Sequence, residues 1–193
     1  MLSRRSLVLG GLATVAGVAI AGRARASVAR ALTLTELVHQ SRHALVGTPL
    51  ELFGQWETVG RRSRIVTYTL VRADHSLDWQ PPATSEIMIR TLGGRVGDIG
   101  QTVPGEAMLV LGRTASIFVE DLSRDLFAVT GMAQGHYPVQ ADDQGVKRVR
   151  AEAGLVKLLG GANLADSAVH TLDGRTVTEV EGLVTGEIKR GAR

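Results

Sequence analysis

Hydrophobic positions along this chain change their rhythm three times. Residues 7–21 (LVLGGLATVAGVAIA) are one almost unbroken apolar run. Thr33-Leu34-Thr35-Glu36 then forms a capping box, in which hydroxyl and carboxylate satisfy each other's backbone amides. Leu34, Leu37, Val38, Ser41 and Leu45 follow at helical spacing. This predicts a leading helix that ends near His43, ahead of Gly47 and Pro49.

From about residue 50 to 150 the period shortens to two. Leu50–Trp56 alternates, with Leu50, Leu52 and Gly54 on one side and Glu51, Phe53 and Gln55 on the other. Gly60-Arg61-Arg62-Ser63 reads as a hairpin turn, and Arg64–Arg72 (RIVTYTLVR) is the strongest strand by composition. Pro81-Pro82 interrupts the pattern. Further strands are expected at Ile87–Leu92, Ala107–Leu111, Ser116–Glu120, Asp125–Thr130, Tyr137–Gln140 and Val146–Arg150. Helical spacing returns after Thr176-Val177-Thr178-Glu179, a second capping box, with Val177, Val180, Leu183, Val184 and Ile188 on one face.

Short strands in close succession, without helices between them, predict an antiparallel barrel or sandwich and exclude a βαβ sheet. The expected fold is mainly β: a small antiparallel barrel of OB type, with a leading N-terminal helix and a C-terminal amphipathic helix. An immunoglobulin-like sandwich is the alternative, although its Trp and tyrosine-corner pattern is not legible. The domain boundaries expected are a cleavable leader over 1–26, a β domain over 27–150 and a helical C-terminal segment over 151–193.

Composition narrows the chemistry. The chain has 193 residues and no cysteine, which excludes disulfide frameworks, thiol catalysis, Cys-ligated zinc and iron–sulfur clusters. Its formal charge of +3 misleads, because Arg4, Arg5, Arg23 and Arg25 all precede residue 27 and no acid does. The rest holds 18 basic and 19 acidic residues. Such a domain has no net basic field for a phosphate polymer, so nucleic acid is not an expected partner.

Residues 1–26 carry the three parts of an export signal: Ser3-Arg4-Arg5, the apolar run, and the small-x-small site Ala24-Arg25-Ala26. At ~1.5 Å per residue the run spans about 22 Å, short of a ~30 Å hydrocarbon core, so no stable membrane anchor is expected after cleavage. Ser3-Arg4-Arg5-Ser6-Leu7-Val8 resembles the twin-arginine signal of bacterial export, with Leu7 and Leu9 where Phe and Lys are frequent in that family. An ordinary secretory signal is the alternative. The resemblance implies recognition through Arg4 and Arg5, cleavage at Ala24 and Ala26, export in the folded state, and a periplasmic or secreted destination.

Four sets of residues invite a chemical reading. His39 and His43, four apart, would share a helix face, the spacing by which a helix offers two imidazoles to one metal. His39-Gln40-Ser41-Arg42-His43 is similar to a zincin helix with Gln40 where the general-base Glu stands, so they are weak metal ligands, and no metal or cofactor is expected. Residues 93–106 (GGRVGDIGQTVPGE) form a glycine-rich loop that fits neither a P-loop nor a dinucleotide fingerprint. Asp98 and Glu106 are its candidate ligand-binding residues, unless the glycines serve only a bulged strand. His136 and Tyr137, after the turn Gly131–Gly135, are candidates for ligand binding or joint proton transfer. Trp56 and Trp79 flank the strongest strand and offer aromatic surface if exposed.

A short helix, the Leu45-Val46-Gly47 strand and a hairpin leading into an OB-like barrel are together similar to the netrin/TIMP-like modules of secreted proteins. The family's cysteines are absent, so no functional residue is carried over. The function expected is therefore an exported, non-enzymatic binding or accessory module of the bacterial cell envelope. Its partner is expected to be another exported protein or a small envelope ligand. The alternative is a metal-dependent hydrolase using His39/His43 or His136.

Overall fold

The computed structural model describes residues 30–78, 82, 84–152, 155, 159 and 164–191. The expected leader, with Arg4, Arg5, Ala24 and Ala26, lies outside them, as do Trp79 and most of 153–163. Helix α1 (Leu34–Gln40) begins at the capping box: the Glu36 amide donates to the Thr33 hydroxyl, and the Thr33 amide donates to the Glu36 carboxylate at 2.9 Å. It ends three residues earlier than expected. The Ser41 hydroxyl donates to the Leu37 carbonyl at 2.6 Å, and the Arg42 amide already bonds the Val119 carbonyl across the sheet. Sheet pairing thus takes over before the helical pattern runs out.

Among the described residues nine strands follow: β1 (His43–Val59), β2 (Arg62–Ser76), β3 (Glu86–Leu92), β4 (Gly94–Val96), β5 (Ile99–Gln101), β6 (Ala115–Ser123), β7 (Leu126–Val129), β8 (His136–Ala141) and β9 (Lys147–Val149). Helices α2 (Ala168–Leu172) and α3 (Val177–Gly191) close the order. Helix α3 starts at the second capping box, where the Thr176 amide donates to Glu179 at 2.7 Å. It buries Val180 and Val184, the face expected from its spacing.

Seven strands form one sheet in the order β1-β2-β3-β7-β6-β8-β9, and β1 also pairs with β6. Leu45, Val46 and Gly47 of β1 pair with both β2 and β6, so the pairings β1–β2–β3–β7–β6–β1 run round in a circuit and make the sheet partly ring-like. The sheet is mixed, a correction to the antiparallel expectation: β3 and β7 run parallel at Met88↔Leu126 and Ile89↔Phe127. The 93–114 segment carries the chain from β3 across to β6, so the β6–β7 hairpin returns β7 in the direction of β3. Ala107–Leu111 is no strand either. Its alternation is real, with Ala107 and Leu109 buried and Met108 and Val110 exposed, but the Met108 amide bonds the Glu152 side chain instead of a neighbouring strand.

Period-two patterning explains two cores. Leu45, Val71, Ile87, Ile89, Ile117 and Val119 point inside the ring. Their sequence neighbours Ala44, Val46 and Phe118 point outward and pack with Tyr137 against Leu34, Leu37, Leu172, Val180 and Val184 of the three helices. Burying side chains of this kind is worth ~1.5–3 kcal/mol each, so β1 and β6 are fixed from both sides. Among the described residues no helix is long and apolar enough to cross a membrane.

Candidate functional site

The glycine-rich segment is a small arm laid over the β1–β2–β3 sheet. The Gly93 amide bonds the Ile65 carbonyl at 2.7 Å as the chain leaves β3, and β4 and β5 then pair with each other alone. Two glycines make the close approach possible. A Cβ at Gly54 of β1 would stand 2.2 Å from the Arg95 carbonyl oxygen. Gly94 has φ +119° and sits where a Cβ would meet the Thr67 hydroxyl at 2.0 Å. Side chains tie the arm down: Thr67 donates to the Gly93 carbonyl at 2.7 Å, and the Ile65 amide donates to Gln101 at 2.6 Å.

Between this arm, the 102–109 loop and the sheet lies a groove of about 420 Å³. Leu52, Met108 and Leu109 give it apolar walls, and Thr69, Thr91 and Glu106 contribute polar groups. Thr69 is fully buried, and its hydroxyl has no hydrogen-bond partner. Burial pushes the Glu106 carboxyl above the usual range, against the pull of the Leu92 and Ala107 amides and of the Arg90 charge; the Glu152 charge adds to the rise. A ligand able to donate a hydrogen bond or place positive charge there would restore the stability of the carboxylate. Size, apolar walls and a few polar groups are the usual features of a binding cleft.

Of the two candidate residues of the glycine-rich loop, Glu106 lines this groove and Asp98 does not. Asp98 stands fully exposed at the β4–β5 turn, 3.7 Å from Arg95. His136 and Tyr137, adjacent on β8, point to opposite faces and cannot act jointly, a correction that follows from strand geometry. His136 is buried with Nδ1 2.5 Å from Glu152 Oε1, and the same carboxylate oxygen accepts from the Met108 amide at 3.0 Å. That carboxylate joins the imidazole to the loop that walls the groove. Tyr137 is a core residue packed edge-on against Phe118. Burial pushes its hydroxyl pKa far up, and no partner reaches it.

The histidine pair is also separated. His39 is exposed on α1, in a shallow hollow with Thr35, Glu187 and Gly191. His43 is buried in β1, edge-on to Phe127 at 5.8 Å and 3.9 Å from Asp78. Because α1 stops at Gln40, the shared helix face expected of the two does not form. Among the described residues no group of three or more His, Asp or Glu is placed to hold a metal ion. A broader depression of about 720 Å³ beside His43 is lined by a mixture of charged and apolar side chains. Some of these already pair with each other, Arg42 with Asp121 and Arg124 with Asp125.

Sequence reasoning missed a polar cluster on the opposite face of the β1–β2–β3 sheet. Glu57 accepts from the Tyr68 hydroxyl, from Gln55 at 3.0 Å and from Arg90 at 2.7 and 3.0 Å. The Tyr68 hydrogen bond leads in lowering the Glu57 pKa to about 2. The Phe53 ring stacks on Tyr68 at 5.3 Å. Glu57 and Tyr68 each sit among alternating residues of the hairpin, and only the register Phe53↔Tyr68 and Tyr68↔Arg90 brings the cluster together. Compared with protein-family models, curated proteins and solved structures, the chain matches none.

Proposed function

We propose that this chain is an exported, non-enzymatic binding module of a bacterial cell envelope, built on an OB-like barrel, and that the groove under the glycine-rich arm receives its partner. The twin-arginine-like leader supports export. The circuit of five strands with one parallel pairing supports the barrel, since an OB-type barrel is a partly open, five-stranded ring. Such barrels use the surface of their second and third strands and the flanking loops for ligands, and the groove lies on β2, β3 and the loops that follow. The observation that carries the proposal is the groove itself: apolar walls around the buried Thr69 hydroxyl and the desolvated Glu106 carboxylate. The partner is an exported protein segment or a small envelope ligand that combines an apolar body with a hydrogen-bond donor.

Site-specific photocrosslinking in the exporting bacterium tests this. A photoreactive residue at Thr91 or Met108 is expected to give a discrete adduct. The same residue at exposed Leu122 on β6, away from the groove, is expected to give none. Equal labelling at both places, or none at the groove, would overturn the proposal. Stoichiometric zinc or copper in protein purified without a histidine tag would instead favour the hydrolase alternative.

A further inference from the structure

The floor of the groove lies on two strands. Thr69 of β2 and Thr91 of β3 are diagonal neighbours on one face, by the register Thr69↔Ile89 and Thr67↔Thr91. Both are buried, Thr69 completely, and the Thr69 hydroxyl has no hydrogen-bond partner. A hydroxyl sealed from water and left unpaired costs free energy that a bound polar atom would return. Glu106 adds a carboxylate from the loop. The Leu92 and Ala107 amides bond it, which favours its ionised form and works against the loss of water around it. No cation of the groove balances that charge. Arg95 is the one basic residue of the described lining, and its guanidinium is turned to the β4–β5 turn: Nε donates to the Gly97 carbonyl at 2.8 Å, and Nη2 stands 3.7 Å from Asp98. Arg90 acts on Glu106 only through space, because its Nε and Nη2 both donate to Glu57. Glu152, the other acid whose charge reaches Glu106, is engaged by His136 and the Met108 amide.

We infer that the groove takes a small primary amine carried on an apolar chain, with the ammonium on Glu106 and the Thr69 hydroxyl and the chain against Leu52, Met108 and Leu109. The inference rests on the groove being the binding site proposed above, and it names the class of ligand. Charge complementarity selects the head group. A neutral alcohol donates one hydrogen bond and leaves the carboxylate's charge unbalanced. An acid brings a second negative charge beside the first. An ammonium donates three hydrogen bonds from one point and carries the missing positive charge. Both hydroxyl and carboxylate oxygens accept, so the strand floor and the loop can share those donors. The apolar walls select the chain. The volume of about 420 Å³ lies in the range of small-molecule clefts, about 300–1,000 Å³. The groove is enclosed between the arm, the 102–109 loop and the sheet, so a slender free molecule reaches buried Thr69 more readily than a lysine tethered to a folded surface.

The test uses the protein recovered after export, titrated calorimetrically at pH 8 with octylamine, octanol and octanoate, which share an apolar chain and differ in the head group. Octylamine is expected to bind about tenfold more tightly than octanol, the size of one hydrogen bond between charged groups, and octanoate more weakly than either. Glu106→Gln should bring octylamine down to the octanol level and leave octanol within about twofold of wild type. Thr69→Val should weaken octylamine by about tenfold with no fall in melting temperature, because the hydroxyl it removes is unpaired in the free protein. Asp98→Asn, an acid lost outside the groove, should change neither ligand. Equal binding of octylamine and octanol, binding of neither, or a preference for octylamine that survives Glu106→Gln would overturn the inference. Tighter binding of Nα-acetyl-lysine methylamide than of octylamine would also overturn it and assign the groove to a lysine of a protein partner. Under any of these results, crosslinked adducts at Thr91 or Met108 would leave the groove standing as a binding site, whereas their absence is what overturns that reading.

Discussion

Glu106, in the loop over the sheet, and Glu57, on β1, show how the same residue type takes opposite roles. Burial destabilises the Glu106 carboxylate, so its folded pKa lies above its unfolded one. A raised acid favours the folded state while protonated, and that advantage is lost as pH climbs from the ordinary carboxylate range through the raised value. Glu106→Gln should therefore raise stability at neutral pH by about 0.5–1 kcal/mol, a size common where a functional group is removed, and weaken partner binding; chemical denaturation at pH 5 and pH 8 checks the first half. Glu57 runs the other way. Its folded pKa of about 2 lies below its unfolded value, so its contribution is complete above about pH 4.5 and disappears as pH falls towards 2. Its partners are near the surface, and solvent screening limits the contribution to about 1 kcal/mol. Glu57→Gln should flatten that step in an acid titration of stability. Glu106 was legible as the acid closing a glycine-rich loop. Glu152 was not, because it meets Met108 across 44 positions of sequence, and no local pattern reports such a pairing.

Among the elements, the two capping boxes located the starts of α1 and α3, because capping is chemistry within four residues. The end of α1 depends on a strand more than seventy positions away and could not be read locally. The strands were legible by alternation, although alternation did not say which side of β2 faced the ring interior. Ile65, Thr69 and Val71 are fully buried on that side, whereas Leu70 is only half-buried. Ile89→Ala, inside the ring, should cost about 2–5 kcal/mol, and Leu70→Ala distinctly less; urea midpoints compare them. Helix α3 carries two correctable weaknesses. A Cβ at Gly182 or Gly186 would meet nothing within 4 Å. Each Gly→Ala change should therefore stabilise by up to about 1 kcal/mol. Gly54→Ala should do the reverse, because the new methyl meets the Arg95 carbonyl and must push the β4–β5 arm off the sheet. Rapid amide exchange confined to 94–101, with the ring core still protected, would be its signature.

At the scale of the molecule, the order of strands was the part least legible in the sequence. The parallel β3–β7 pairing and the return of β6 to β1 join segments far apart in the chain, and a period of two carries no information about neighbours. A fold so dependent on distant pairings forms slowly compared with one built from local contacts. With no cysteine, it has no need of an oxidising compartment. Both features are compatible with the proposed route, in which the chain completes folding in the cytoplasm and is exported afterwards. The prediction follows from the chemistry of the expected signal. Arg4→Lys with Arg5→Lys keeps both charges but replaces two planar, forked guanidinium groups by ammonium groups with different hydrogen-bonding geometry. A receptor that reads the arginines themselves should reject the pair, and uncleaved precursor should then accumulate in the cytoplasm with a protease-resistant folded domain. A receptor that reads only charge should export the variant normally. Fractionation and limited proteolysis distinguish the two, and normal export of the wild type in a strain lacking the twin-arginine translocase would assign the leader to the general secretory route.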